Sequence, residues 1–147
     1  MSVAAIVVAA VCLLIMVLVL RRVAAKREVM EKSIEPEALF KLLKAKKVLL
    51  YDVRQPLDFL AHPEIIPGAT RIAPKDIAEQ TASFSRDQDS VIYCTGDDHD
   101  TSQMVLGKAR ALQFTRVKML RGGLAAWKEK GYPVEAYTES FHLDTAT

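Results

Sequence analysis

The chain has 147 residues, half of them hydrophobic, with 20 Lys and Arg against 18 Asp and Glu and only two cysteines. The positive excess is local: residues 21–32 carry five basic and two acidic side chains, and the rest of the chain 15 and 16. This distribution excludes a basic stripe for nucleic acid on the globular part, and two cysteines, one of them inside an apolar run, exclude a disulfide framework within the chain and suit a reducing compartment.

Val3 to Leu20 holds no charge, Gly or Pro. At about 1.5 Å per residue this run makes roughly 27 Å of helix, close to the hydrocarbon thickness of a bilayer. Residues 1–20 are therefore expected to form a transmembrane anchor helix. Residues 21–33 form a basic juxtamembrane linker, or a charged continuation of that helix, facing anionic headgroups. A cleaved signal peptide would need a basic start and a cleavage site after a shorter apolar core. Here the cations Arg21, Arg22, Lys26 and Arg27 follow the run instead. The positive-inside bias predicts a single-pass protein of the inner or plasma membrane with its C-terminal part in the cytoplasm. Cys12 is expected to be apolar filler on the anchor.

Ser33–Lys47 reads as a short amphipathic helix with Pro36 in its first turn and Leu39, Leu42 and Leu43 on one face. Val48–Val53 is a near-continuous apolar strand, the pattern of a strand covered on both faces. A short helix is predicted over Pro56–Ala61, a turn region over His62–Gly68, a brief strand at Thr70–Ala73 and a helix from Pro74 to about Thr81. Asp87–Asp89 is a turn before strand Ser90–Tyr93. A helix follows from about Thr101 to Gln113, with Val105, Ala109 and Leu112 on its buried face. Strand Val117–Leu120, the Gly122-Gly123 break and a helix over Leu124–Lys130 complete the regular part. Phe59, Leu124 and Trp127 are expected in the core. The tail after Val134 lacks periodicity.

Strands alternating with helices, with connections too long for hairpins, imply an α/β domain: a central, mainly parallel sheet with helices on both faces. Ligands of such sheets bind outside the carboxyl ends of the strands. Asp52–Arg54, Cys94 and Leu120–Gly123 all fall at such ends. Cys94 lies between a buried strand and a following helix, whose N-terminal amides and dipole favour a thiolate.

Taken in order, L-L-Y-D-V-R at Leu49–Arg54, L-D-F at Leu57–Phe59, I-P-G-A-T-R-I at Ile66–Ile72, V-I-Y-C at Val91–Cys94, L-R-G-G-L-A-A-W at Leu120–Trp127 and G-Y-P-V at Gly131–Val134 resemble a single rhodanese domain. The resemblance covers roughly residues 34–135 and leaves 136–147 as a loose tail. It implies the rhodanese fold with a five-stranded sheet. It also implies that Cys94 accepts a sulfane sulfur from a donor and passes the resulting persulfide to a thiol acceptor, with no metal or cofactor. The backbone amides of Thr95, Gly96, Asp97, Asp98, His99, Asp100 and Thr101 would cradle the persulfide. Asp52 and Arg54 would form a structural pair at the rim.

The loop departs from the family pattern. Active rhodaneses commonly carry a Gly and an Arg in a six-residue loop, whereas Thr95–Asp100 reads T-G-D-D-H-D, with no Arg or Lys before Lys108. Its aspartates oppose a thiolate and have the wrong sign for thiosulfate, a dianion, so weak turnover of thiosulfate is expected. Without an Arg six residues after the cysteine, a phosphate has no guanidinium fork to bind. The D-D-H-D run reads as a solvated face rather than a metal site, since adjacent loop residues rarely all point inward. His99 is either a plain exposed imidazole or a thiolate partner. Arg121 is a rim residue able to supply positive charge. His62 sits in H-P-E-I-I-P-G, two residues longer than the family's usual turn.

The expected activity is thus sulfurtransferase chemistry at Cys94 on a membrane-anchored domain, with a protein or small-molecule persulfide as donor and a thiol as acceptor. The alternatives are a non-catalytic module that binds a membrane-protein partner, and a redox sensor in which Cys94 is oxidised.

Overall fold

The structure, a computed structural model, describes residues 2–79, 84–96 and 100–139. The chain divides into two units, Met1–Lys32 and Ser33–Thr147.

The first unit is one helix, α1 (Val3–Glu31), with Ser2 accepting the Ala5 amide at its start. Val3–Glu28 is long and apolar enough to cross a membrane. The basic stretch expected as a linker is helical and continues the same rod.

The second unit is a layered α/β domain. In chain order it contains β1 (Ser33–Ile34), α2 (Pro36–Lys44), β2 (Leu49–Asp52), α3 (Pro56–Ala61), β3 (Glu64–Ile65), β4 (Thr70–Arg71), a 3₁₀ turn (Pro74–Ala78), β5 (Ser90–Tyr93), α4 (Asp100–Ala111), β6 (Val117–Leu120), α5 (Gly123–Glu129) and β7 (Glu135–Ala136). The main sheet has five strands in the order β1-β6-β5-β2-β4, every pair parallel. Its central strands read as uninterrupted apolar runs because both faces are covered. Successive residues alternate between two cores. Tyr51, Ile92 and Met119 face α4 and the 3₁₀ turn, alongside Ile77, Val105, Leu106 and Ala109. Leu50, Val91, Tyr93 and Leu120 face Leu39 of α2 and Leu124 and Trp127 of α5. Phe59 is also buried.

Several local expectations are corrected. Ser33–Ile34 is not the start of a helix but an edge strand that pairs with Met119 and Leu120; the helix begins only at Pro36. Glu64–Ile65, expected as turn, and Glu135–Ala136, at the start of the expected loose tail, pair as a small antiparallel sheet. Tyr137 then packs edge-on against Phe59, with ring centroids 4.8 Å apart. Leu112, expected in the buried face of α4, is 39% exposed. The helix ends at Ala111, and Gln113 at φ 68° turns the chain away before Leu112 can continue the buried stripe.

Candidate active site at the carboxyl end of the sheet

Cys94 follows the last residue of β5, in the middle of the sheet. It is 7% exposed, and its Sγ lies 3.7 Å from the Gly96 carbonyl oxygen, to which the thiol donates. Two features lock its backbone. The Val53 amide donates to the Tyr93 carbonyl at 3.0 Å, extending the β2–β5 ladder to the residue before the cysteine. The amides of Leu124 and Ala125, in the first turn of α5, donate to the carbonyls of Cys94 and Thr95, each at 2.9 Å. The free donors of that helix start are thus spent on the strand end and hold the sulfur's own backbone.

This approach requires glycine. Gly122 and Gly123 have φ 70° and 57°, and a Cβ on Gly123 would overlap the Cys94 carbonyl oxygen and come within 3.0 Å of the Gly96 nitrogen. The Gly122-Gly123 break of the sequence is therefore a mould for the cysteine's backbone.

Asp97, Asp98 and His99 lie outside the described residues. Asp100 and Thr101 form the first turn of α4, where Thr101 is half-buried and Ser102 buried. Thr95 is half-buried, and its hydroxyl oxygen is enclosed with no hydrogen-bond partner among the described residues. Among the described residues no three potential metal ligands converge.

Asp52 and Arg54 are fully buried and face one another. Arg54 Nε donates to both carboxylate oxygens at 3.0 Å and Nη2 to Oδ2 at 2.5 Å. Tyr93 OH donates to the same carboxylate at 3.2 Å, and Arg71 Nη1 lies 3.7 Å from it. A buried charge of this kind persists only when paired and hydrogen-bonded. The remaining guanidinium donors of Arg54 reach the carbonyls of His62 and Glu64, each at 2.7 Å, and its face lies over the Phe59 ring at 4.7 Å. Tyr93 OH in turn accepts the Ile66 amide at 3.2 Å. One ion pair thereby fastens the 62–66 segment to the strand that carries Cys94. Burial, followed by the Asp52 charge, pushes the Tyr93 phenol well above the usual tyrosine range. Burial likewise lowers the Arg71 guanidinium, against the opposing pull of Asp52.

His62, at the start of that segment, lines a cavity of about 460 Å³ together with Thr95, Leu124, Ala125, Lys128 and Glu129. Lys128 forms an ion pair with Glu64 at 2.7 Å, and its hydrogen bond holds the Glu64 carboxyl below the usual carboxylate range. Arg121, at the rim in sequence, is turned to the sheet edge, where it pairs with Glu35 and donates to the Ser33 hydroxyl at 3.1 Å. Of the residues expected at the site, the structure thus gathers Cys94, Thr95 and Gly96 at one point. Asp52 and Arg54 stand behind them, and the guanidinium of Arg121 is committed to Glu35. Tyr93, Arg71 and the Lys128–Glu64 bridge were not foreseen. Their signal lay in the V-I-Y-C and I-P-G-A-T-R blocks, but only the fold reveals their partners.

Fold and site together define a small parallel α/β domain built around a cysteine at the end of a central strand. The chain belongs to the rhodanese family: residues 35–130 match the family model described as Rhodanese-like domain. A sulfurtransferase of Allochromatium vinosum is 31% identical over 108 residues, spanning 73% of this chain and 97% of that protein. The crystal structure of a full-length protein from Lactobacillus plantarum superposes with a TM-score of 0.72 at 19% identity, over 80% of this chain and 98% of that one, a likeness of fold. A Bacillus halodurans protein gives 0.64 at 27% identity, over 77% and 85% of the two chains.

Proposed function

We propose that this protein is a sulfurtransferase that carries sulfane sulfur on Cys94, tethered to a membrane by α1 with its rhodanese domain in the cytoplasm. The observation that carries the reading is the placement of Cys94 at the carboxyl end of a central strand, its carbonyl fixed by the Leu124 amide of α5 and the following residue, Thr95, lining an open cavity. The similarity to a sulfurtransferase across nearly the whole of that relative supports the same chemistry.

In the first step the Cys94 thiolate attacks the outer sulfur of a persulfide donor. A new S–S bond forms on Cys94, the donor's S–S bond breaks, and the donor leaves as a thiolate that takes up a proton. In the second, an acceptor thiolate attacks the outer sulfur on Cys94, which departs as thiolate. Sulfur moves without net oxidation. Asp52 and Arg54 act as positioning residues behind the strand. The aspartates that the sequence places at 97, 98 and 100 disfavour thiosulfate and favour a protein or small-molecule persulfide as donor.

Mass spectrometry after donor treatment tests this reading. The expected result is an adduct of about 32 Da, one sulfur atom, on the wild-type chain and none on Cys94→Ser. An adduct that survives the substitution, or none on the wild type, overturns it.

A further inference from the structure

Residues 41–47 read K-L-L-K-A-K-K, and the structure gathers their four lysines at the end of α2. Lys41 and Lys44 stand one turn apart, away from the buried Leu39, and Lys46 and Lys47 follow in the turn that closes the helix; all four are exposed. The Lys46 amide donates to the Leu43 carbonyl and the Lys47 amide to the Leu42 carbonyl, each at 3.0 Å. In this turn Lys46 has φ 54°, the left-handed closing position that usually falls to glycine. A lysine thus occupies a strained position at the centre of the patch.

The domain as a whole is balanced in charge, but this patch is left unmatched. Glu35 is taken by Arg121 and Glu37 by Lys130, although Lys41 also adds to the field at Glu37. Asp89, whose carbonyl accepts the Leu49 amide beside the patch, is taken by Arg116, and the same guanidinium bonds the Asp87 carbonyl. Lys44 lies over the Phe40 ring at 4.5 Å. None of the four lysines makes an ion pair among the described residues. The chain leaves the cap of α1 at Ser33 without a loop, and α2 starts at Pro36 and covers nine residues, about 13 Å. The end of α1 and the lysine patch are therefore joined to the two ends of one short helix.

We propose that the patch rests on the anionic headgroups of the leaflet that α1 enters, as a second attachment of the domain. The inference rests on the reading of α1 as a membrane anchor. Charge complementarity names the occupant: unmatched lysines are drawn to an anionic lipid surface within a Debye length, about 8 Å at cellular salt. The anchor keeps that surface within a helix length of the patch, whereas a soluble acidic partner would have to be recruited from solution. With Ser33 held at one end of α2 and the lysines at the other, α2 lies along the leaflet and the domain no longer swings freely about its tether.

The test uses the full chain in vesicles of phosphatidylcholine, alone or with about 30% phosphatidylglycerol. A membrane-impermeant amine reagent is added outside, and labelling is read lysine by lysine by mass spectrometry. Lys41, Lys44, Lys46 and Lys47 are expected to label about threefold more slowly in the anionic vesicles, the difference closing in about 0.5 M salt. Lys108, exposed on α4 across the sheet, should label alike in both. Replacing Lys44 and Lys47 together by Glu should return Lys41 and Lys46 to their rate in neutral vesicles. Equal labelling of the patch in the two vesicles, or protection unchanged by the double substitution, overturns the inference while leaving the anchor intact. Failure of the chain to float with neutral vesicles at high salt removes the anchor reading, and this inference with it.

Discussion

The Leu124 amide donates to the Cys94 carbonyl at 2.9 Å, and this bond joins the strand that carries the sulfur to the helix that walls the cavity. It exists because Gly123, just before Leu124, comes against that same carbonyl with a backbone that an L side chain rarely adopts.

Gly123→Ala is accordingly expected to combine a strained positive φ with a backbone overlap, costing about 2–4 kcal/mol of stability. Urea unfolding reads this as a lower midpoint at unchanged slope. A midpoint like that of the wild type would show that the strand end is free to shift.

Arg54→Met leaves the Asp52 carboxylate buried beside Tyr93 and only the more distant Arg71. Removing one partner of a buried pair costs about 3–5 kcal/mol. Arg54→Lys should recover little, because one ammonium cannot satisfy Asp52 and also reach the His62 and Glu64 carbonyls. Full recovery by lysine would mean that charge alone, without the fork, holds the segment.

The raised Tyr93 phenol sets an alkaline limit. Its folded pKa lies above the unfolded value of about 10, so its contribution is complete below that pH. As pH rises further the unfolded chain loses the proton first, and stability falls. Tyr93→Phe starts less stable, having lost the bonds to Asp52 and Ile66. Its stability should then decline less between pH 9 and 11, as urea unfolding at the two pH values measures. Parallel declines for the two proteins would contradict this.

Truncation after Val134 removes β7 and the Tyr137 ring from Phe59. Amide exchange at Glu64 and Ile65 should accelerate, because their sheet partner is gone, while the amides of β5 stay protected. Unchanged exchange at those two residues would show that Arg54 alone suffices to hold the segment.

The central strands were readable because they are buried on both faces: Leu49–Tyr51 and Val91–Tyr93 leave no polar gap. The cysteine's position at a strand end, and the Asp52–Arg54 pairing, followed from the same ordered blocks. Two-residue strands carry no periodicity, so Ser33–Ile34, Glu64–Ile65 and Glu135–Ala136 were invisible until their partners were in place. Leu112 kept helical spacing beyond the point where the helix stops. Arg121 could not be assigned to Glu35, which is 86 residues away, from local pattern.

The register of the edge strand has a mechanical consequence. Ser33 pairs with Met119, which pairs with Ile92, so the chain joins the sheet two strands across from Cys94 and two residues short of it. Strand spacings near 4.8 Å and a rise near 3.3 Å put the two Cα atoms about 12 Å apart. Ser33 follows the cap of α1 without an intervening loop. A membrane tether through α1, as proposed, would therefore be attached to the domain at a sheet position near Cys94. If Cys94 carries sulfur as proposed, thiols confined to the same surface would meet it at a local concentration that free ones do not reach, the search running across a surface rather than through a volume.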